Sequence, residues 1–160
     1  MAQPDSWPVP KDLKDLIGYE FDLGSEEVEA GAIRKFADAC FDPNPLWRDE
    51  EYARSTPYRG IIAPPTFYHC LQSVGYARLD PEMPWKKVTG LNGGNEFEFF
   101  KPLRPGDVVS GRARVLDLYG RESKSLGPML IWIMETTFTN QKDEHVATQR
   151  STFIRYEAKG

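Results

Sequence analysis

The chain has 160 residues, 40% of them hydrophobic, and a formal net charge of −4. That length suits one domain with a real core, so residues 1–160 are expected to form a single domain led by an extended arm over 1–14. A mildly acidic balance excludes the basic face of a nucleic-acid binder.

No basic segment followed by an apolar run opens the sequence, and no apolar run approaches the ~20 residues of a bilayer span. A cytoplasmic protein without membrane contact is expected. Two cysteines, Cys40 and Cys70, are too few for a disulfide framework. Each lies on the apolar side of a predicted helix and reads as a buried free thiol.

In chain order, a proline-rich start gives way to a short helical turn around Leu13 and Leu16, then a short strand over Gly18-Tyr19-Glu20-Phe21. Ser25 reads as a helix cap, with Glu26 and Glu27 in the first turn, where the helix dipole favours acids. Ile33, Phe36, Ala37 and Cys40 follow helical spacing. Asp42-Pro43 should end that helix near Cys40.

Asp42-Pro43-Asn44-Pro45 cannot be regular, because two prolines remove two donors and fix two φ angles. From local chemistry alone it is a stiff Asx-type turn. Asp49 to Arg54 makes one helical turn, stopped by Pro57. Pro64 and Pro65 suit the first turn of a second helix, where a missing N–H costs nothing. Phe67, Cys70, Leu71 and Val74 give that helix one apolar stripe, as expected of a buried central helix.

From Val88 the period changes to that of strands. Val109, Gly111, Ala113 and Val115 face one way and Arg112 and Arg114 the other. Met129 to Phe138 is almost continuously apolar, as in a central strand. Asn140 to Glu144 is a hairpin loop, and a last strand runs to about Tyr156. One long helix against a curved antiparallel sheet is an α+β, two-layer design.

Four stretches carry a resemblance: Phe36-Ala37-Asp38-Ala39 through Asp42-Pro43-Asn44-Pro45-Leu46; Gly60-Ile61-Ile62-Ala63-Pro64-Pro65-Thr66-Phe67; Arg104-Pro105-Gly106-Asp107; and Gly127 through Gln141. In that order and spacing the chain resembles the hot-dog-fold hydratases and dehydratases of the MaoC-like group. The likeness is greatest to the N-terminal MaoC dehydratase domain branch, or fatty-acid-synthase-like dehydratase, and covers about residues 14 to 156. The resemblance implies a curved antiparallel sheet wrapped around a long central helix. It also implies addition or removal of water at the α,β bond of a CoA- or carrier-linked acyl chain. An Asp and a His five residues apart hold one water there and move its protons. N–H donors at a helix start stabilise the thioester oxygen.

Carried over residue by residue, the aspartate falls on Asp42, the amide on Asn44 and the histidine on Trp47. Indole has no basic nitrogen and cannot shuttle a proton. Pro65 stands where a small residue with an N–H is usual, leaving Thr66 and Phe67 as donors. His145 reads as a solvated strand residue. His69 reads either as a packed histidine or as a relocated acid–base. Asp42, Asn44 and His69 are thus the candidate catalytic residues. Trp47, Tyr58, Arg59, Thr66, Phe67 and Tyr68 are candidate substrate contacts, although Trp47, Phe67, Tyr68 and Trp85 also read as ordinary core.

Three functions follow as expectations. The chain is a hydratase or dehydratase of an enoyl-CoA-type thioester, alone or within a hot-dog heteromer. Alternatively it is a non-catalytic subunit shaping the acyl tunnel for a catalytic chain, or a hydratase of a conjugated enone such as a steroid. A homodimer or heterodimer is expected, because a lone curved sheet leaves an edge and a face exposed. No metal or other cofactor is implied: two separated histidines and two apolar cysteines are no ligand set.

Overall fold

The computed structural model of the chain describes residues 7–71, 79 and 81–158. Five strands, β1 (Glu20–Glu27), β2 (Val88–Phe99), β3 (Val108–Ser123), β4 (Gly127–Thr139) and β5 (His145–Glu157), form one sheet in the order β1-β3-β4-β5-β2. Every neighbouring pair is antiparallel. β4 lies between β3 and β5, which explains its near-continuous apolar sequence. β1 and β2 are the edges.

The alternation expected of β3 holds: Val109, Ala113 and Val115 are fully buried, while Arg112 and Arg114 point outward. Arg112 lies 3.2 Å from Glu20 on β1, across the outer surface. Register shifts in β3, β2 and β1 mark bulges, which add local twist and curvature. The sheet curves around the rest of the chain, as in a hot-dog fold.

Helices α1 (Lys11–Lys14), α2 (Ala30–Ala39) and α3 (Glu50–Ser55) and two 3-10 helices, Pro45–Trp47 and Pro65–Cys70, complete the described elements. Ile33 and Ala37 of α2 join Phe67, Tyr68, Val109 and Phe138 in one core. Phe36 meets Phe67 edge-on with ring centroids 5.7 Å apart. Burying six such side chains supplies on the order of 10 kcal/mol before entropy is counted. A second core gathers Leu13, Leu118, Leu130 and Trp132, against which Trp7 and Trp85 pack, stacked at 5.6 Å. Trp85 therefore belongs with the N-terminal arm and not with Trp47.

Three expectations are corrected. Ser25 does not cap a helix; it pairs with Ser110 inside β1, and α2 starts at Ala30 behind Glu29. A strand ladder that continues through Glu27 outweighs one local cap. Cys40 and Cys70 are exposed, not buried. Cys40 stands at the end of α2, and after Pro65 the inward positions fall on Phe67, Tyr68 and Leu71. The central helix enters as 3-10 over Pro65–Cys70 rather than as α-helix; its expected continuation through 72–78, including Val74, lies outside the described residues.

Candidate functional site

The turn at Asp42 is built by the end of α2. The Asp42 N–H donates to the Ala37 carbonyl at 2.9 Å and the Phe41 N–H to the Asp38 carbonyl at 3.0 Å. These two bonds, with Phe41 at φ 53°, make a Schellman motif in which Phe41 holds the left-handed position that glycine normally takes. Asp42 is the residue after it, so the helix end itself aims the carboxylate. Phe41 is 93% exposed. Its sequence gave no signal for either property.

Pro43 and Pro45 then stiffen a turn whose bonds are all local. Asp42 Oδ1 accepts the Asn44 N–H at 3.0 Å. Asn44 Oδ1 accepts the Leu46 N–H at 3.0 Å and caps the 3-10 helix Pro45–Trp47. Trp47 is buried and its indole Nε1–H donates to Asp42 Oδ2 at 2.8 Å. Arg48 donates to the Asp42 carbonyl at 2.7 Å and pairs with Asp38 at 3.0 Å.

Each oxygen of Asp42 is thus engaged within its own turn. The Asn44 amide first, then the Trp47 indole, hold the Asp42 carboxyl below its ordinary pKa. A carboxylate stabilised in this way is a weak proton acceptor. Trp47 stands where the resemblance calls for a histidine, and it ties the aspartate down rather than sharing a water with it.

Tyr58 and Tyr68 meet elsewhere. They line a cleft of about 240 Å³ with Pro64, Pro65, Phe99 and Leu103. A separate depression beside Asp42 is lined by Ala37, Asp38, Phe41, Pro43 and Arg48 and shares no residue with that cleft. Arg104 braces the cleft rim by donating to the Tyr58 carbonyl at 2.6 Å. The Tyr68 ring is enclosed by Phe138 at 4.8 Å and by Phe97 and Phe99. Its hydroxyl is buried without a hydrogen-bond partner among the described residues. Burial, then the charge of Asp107, push that hydroxyl well above its ordinary pKa, so it stays protonated and able to donate.

The remaining candidates are dispersed. His69 stands edge-on to Phe97 at 5.3 Å. Arg59 is exposed with φ 56°, and Thr66 is exposed. Phe67 is 1% exposed, and its N–H donates to the Pro64 carbonyl at 2.9 Å. The expected donor at Phe67 is therefore already used. Sequence reasoning missed the cleft residues Phe99, Lys101 and Leu103, whose signal is only that they end or follow the alternating strand β2.

One five-stranded antiparallel sheet, a Pro-Pro helix entry and an Asp-Pro-Asn-Pro turn define a hot-dog protein of the MaoC-like hydratase and dehydratase class. A family model described as "FAS1-like, dehydratase domain region" matches residues 15–149, and the chain belongs to that family. It is 36% identical over 144 residues to a "UPF0336 protein" of Thermobifida fusca, covering 88% of this chain and 91% of that one. It is 31% identical over 150 residues to a "Probable enoyl-CoA hydratase alpha subunit" of Thermomonospora curvata, covering 85% of this chain. The match spans only 47% of that relative's length. Among solved structures, a MaoC-like dehydratase from Rhodospirillum rubrum superposes with TM-score 0.66 at 28% identity, over 92% of this chain and 98% of that one. The ChsH1-ChsH2 complex from Mycobacterium tuberculosis shares the fold with TM-score 0.71 at 21% identity, over 94% of this chain and 90% of that one.

Proposed function

We propose that this chain serves hydration or dehydration at the α,β bond of an acyl thioester as the non-catalytic subunit of a hot-dog heteromer. A second chain supplies the Asp and His that move the protons, and this chain shapes the acyl site. The observation that carries the reading is the Trp47–Asp42 bond. Trp47 stands in place of the histidine and engages the aspartate in one contact. The size of the cleft agrees: about 240 Å³ falls below the roughly 300–1,000 Å³ of sites that enclose a drug-sized ligand. A chain that must close its site against a partner fits that shortfall. The subunit named for the Thermomonospora relative and the two-chain ChsH1-ChsH2 neighbour give the reading its precedent.

A second reading rests on Tyr68. Tyr68 lines the cleft, and its hydroxyl, buried and protonated, has no partner among the described residues, so it supports a role as donor to a carbonyl that reaches it. In that reading the chain is itself a hydro-lyase, acting on an enoyl-CoA or on a conjugated enone such as a steroid. Asp42 and Asn44 then hold the water, His69 or Tyr68 assists, and Tyr58, Arg59 and Thr66 contact substrate.

The test is hydration of enoyl-CoAs and conjugated enones by the purified chain, alone and together with a MaoC-like chain that carries both Asp and His. The first reading expects no turnover alone and turnover in the pair. Turnover alone that is lost in Tyr68→Phe supports the second.

A further inference from the structure

Trp132 on β4 and Arg155 on β5 share the inner face of the sheet. Register pairs Phe153 with Trp132 and Arg155 with Leu130, and Leu130, Trp132 and Met134 all belong to the second core. Alternation along β5 therefore turns Arg155 to the side of that core. On the outer face Arg112, Arg114 and Arg150 each have an acid partner. Room for the inward arginine comes from β2. Gly90 pairs with Arg155, and a Cβ at Gly90 would stand 1.9 Å from the guanidinium. Glycine at that edge position leaves the guanidinium its space.

Neither side chain has its donors engaged. The Trp132 indole N–H is buried, with no hydrogen-bond partner among the described residues. Arg155 is partly buried and forms no ion pair or hydrogen bond among them. Both line one small cavity of about 30 Å³, with Leu79, Met134 and Phe153 as its other walls. A single water needs roughly 10–15 Å³, so this space takes a head group of about three heavy atoms and not a ring. A buried donor left without an acceptor costs stability. A water could accept from the indole but would leave the charge of the guanidinium uncompensated. An anionic acceptor answers both.

We propose that this cavity is a carboxylate site, in which the Arg155 guanidinium and the Trp132 indole N–H donate to the oxygens of one aliphatic carboxylate. The guanidinium presents paired donors that match the two oxygens of a carboxylate, and indole is a donor only. The apolar walls favour an aliphatic acid over a strongly hydrated inorganic anion. Along β4, Trp132 lies ~20 Å from Phe138, which packs on Tyr68. The cavity shares no residue with the Asp42 depression or with the Tyr58 cleft, so the site stands without the proposed partnership. A free small acid and the end of an aliphatic chain present the same oxygens, and the test separates them.

The experiment follows the indole N–H signals of the isotope-labelled chain by NMR while acetate or octanoate replaces chloride at constant ionic strength. Four tryptophans give four such signals, and Trp132→Phe identifies the one that belongs to the site. Saturable movement of that signal is expected. Arg155→Met should weaken the affinity by about tenfold or more, the scale of a lost charge-assisted hydrogen bond. Gly90→Ala should do the same, because the added Cβ displaces the guanidinium. Near-UV circular dichroism checks that both variants are folded. Saturation by acetate as readily as by octanoate supports a free small acid as the ligand. Saturation by octanoate at far lower concentration supports the end of a chain. No saturable movement with either acid, unchanged affinity in either folded variant, or equal movement on adding methylammonium chloride instead would each overturn the proposal.

Discussion

Phe41 and Trp47 together decide what the Asp42 turn can do. Phe41 occupies a left-handed position at φ 53°, where a non-glycine residue costs about 1 kcal/mol or more. Phe41→Gly should therefore stabilise the fold by roughly 1 kcal/mol, read by urea denaturation. If it instead weakens hydration in a complex while stabilising the chain, the exposed ring is a contact. Trp47→Phe removes the indole N–H from Asp42 Oδ2. With the Asn44 amide as the larger cause, that bond lowers the Asp42 pKa. A lowered carboxyl pKa gives stability that is present above the unfolded value and lost as pH falls through the folded one. The difference in tryptophan fluorescence between native chain and Trp47→Phe should thus titrate below the ordinary Asp range. A midpoint at or above that range would contradict the bond.

Tyr68 gives a second prediction at the same scale. An unpaired buried hydroxyl costs about 1–3 kcal/mol. Tyr68→Phe should leave the free chain as stable or more stable, by up to about 1 kcal/mol in thermal unfolding. A clear loss of stability would mean that the hydroxyl is paired in solution.

At the scale of elements, caps and strands compete for the same polar residues. Asp49 Oδ1 accepts the Tyr52 N–H at 3.0 Å and caps α3. Asp49→Ala should cost about 1 kcal/mol. Ser25, with equal cap chemistry on paper, lies in β1, and Ser25→Ala should shift stability by less than about 0.5 kcal/mol. Denaturant midpoints of the two variants measure the contrast. It also shows what was legible in sequence. Period-2 patterning in β3 and the apolar run of β4 are properties of the strands themselves, so they could be read. The switch at Ser25 depends on pairing with Ser110, far along the chain, and could not. The 3-10 form over Pro65–Cys70 and the outward cysteines were hidden for the same reason: helical spacing predicts a stripe, while the enclosing sheet decides which residues fill it. In the site, the Asx turn and the Trp47 departure were readable because every bond is local. Tyr68's burial under Phe97, Phe99 and Phe138 was not, since three strand residues from distant segments create it.

For the whole molecule, family membership and chemistry of the individual chain come apart. The fold is that of hydratases and dehydratases, and the chain belongs to such a family. Its own turn is closed by a Trp–Asp bond, and its cleft is small for one chain alone. Both support the proposed partnership with a catalytic chain at the turn and cleft. The measurement that bears most directly on this is hydration of an enoyl-CoA by the pair formed with a MaoC-like catalytic chain, with Asp42→Ala introduced into this chain only. The proposed role predicts a rate within about twofold of the unmodified pair. A fall of about 100-fold or more, the scale of a lost general acid or base, would show that Asp42 does the chemistry itself and would contradict the account.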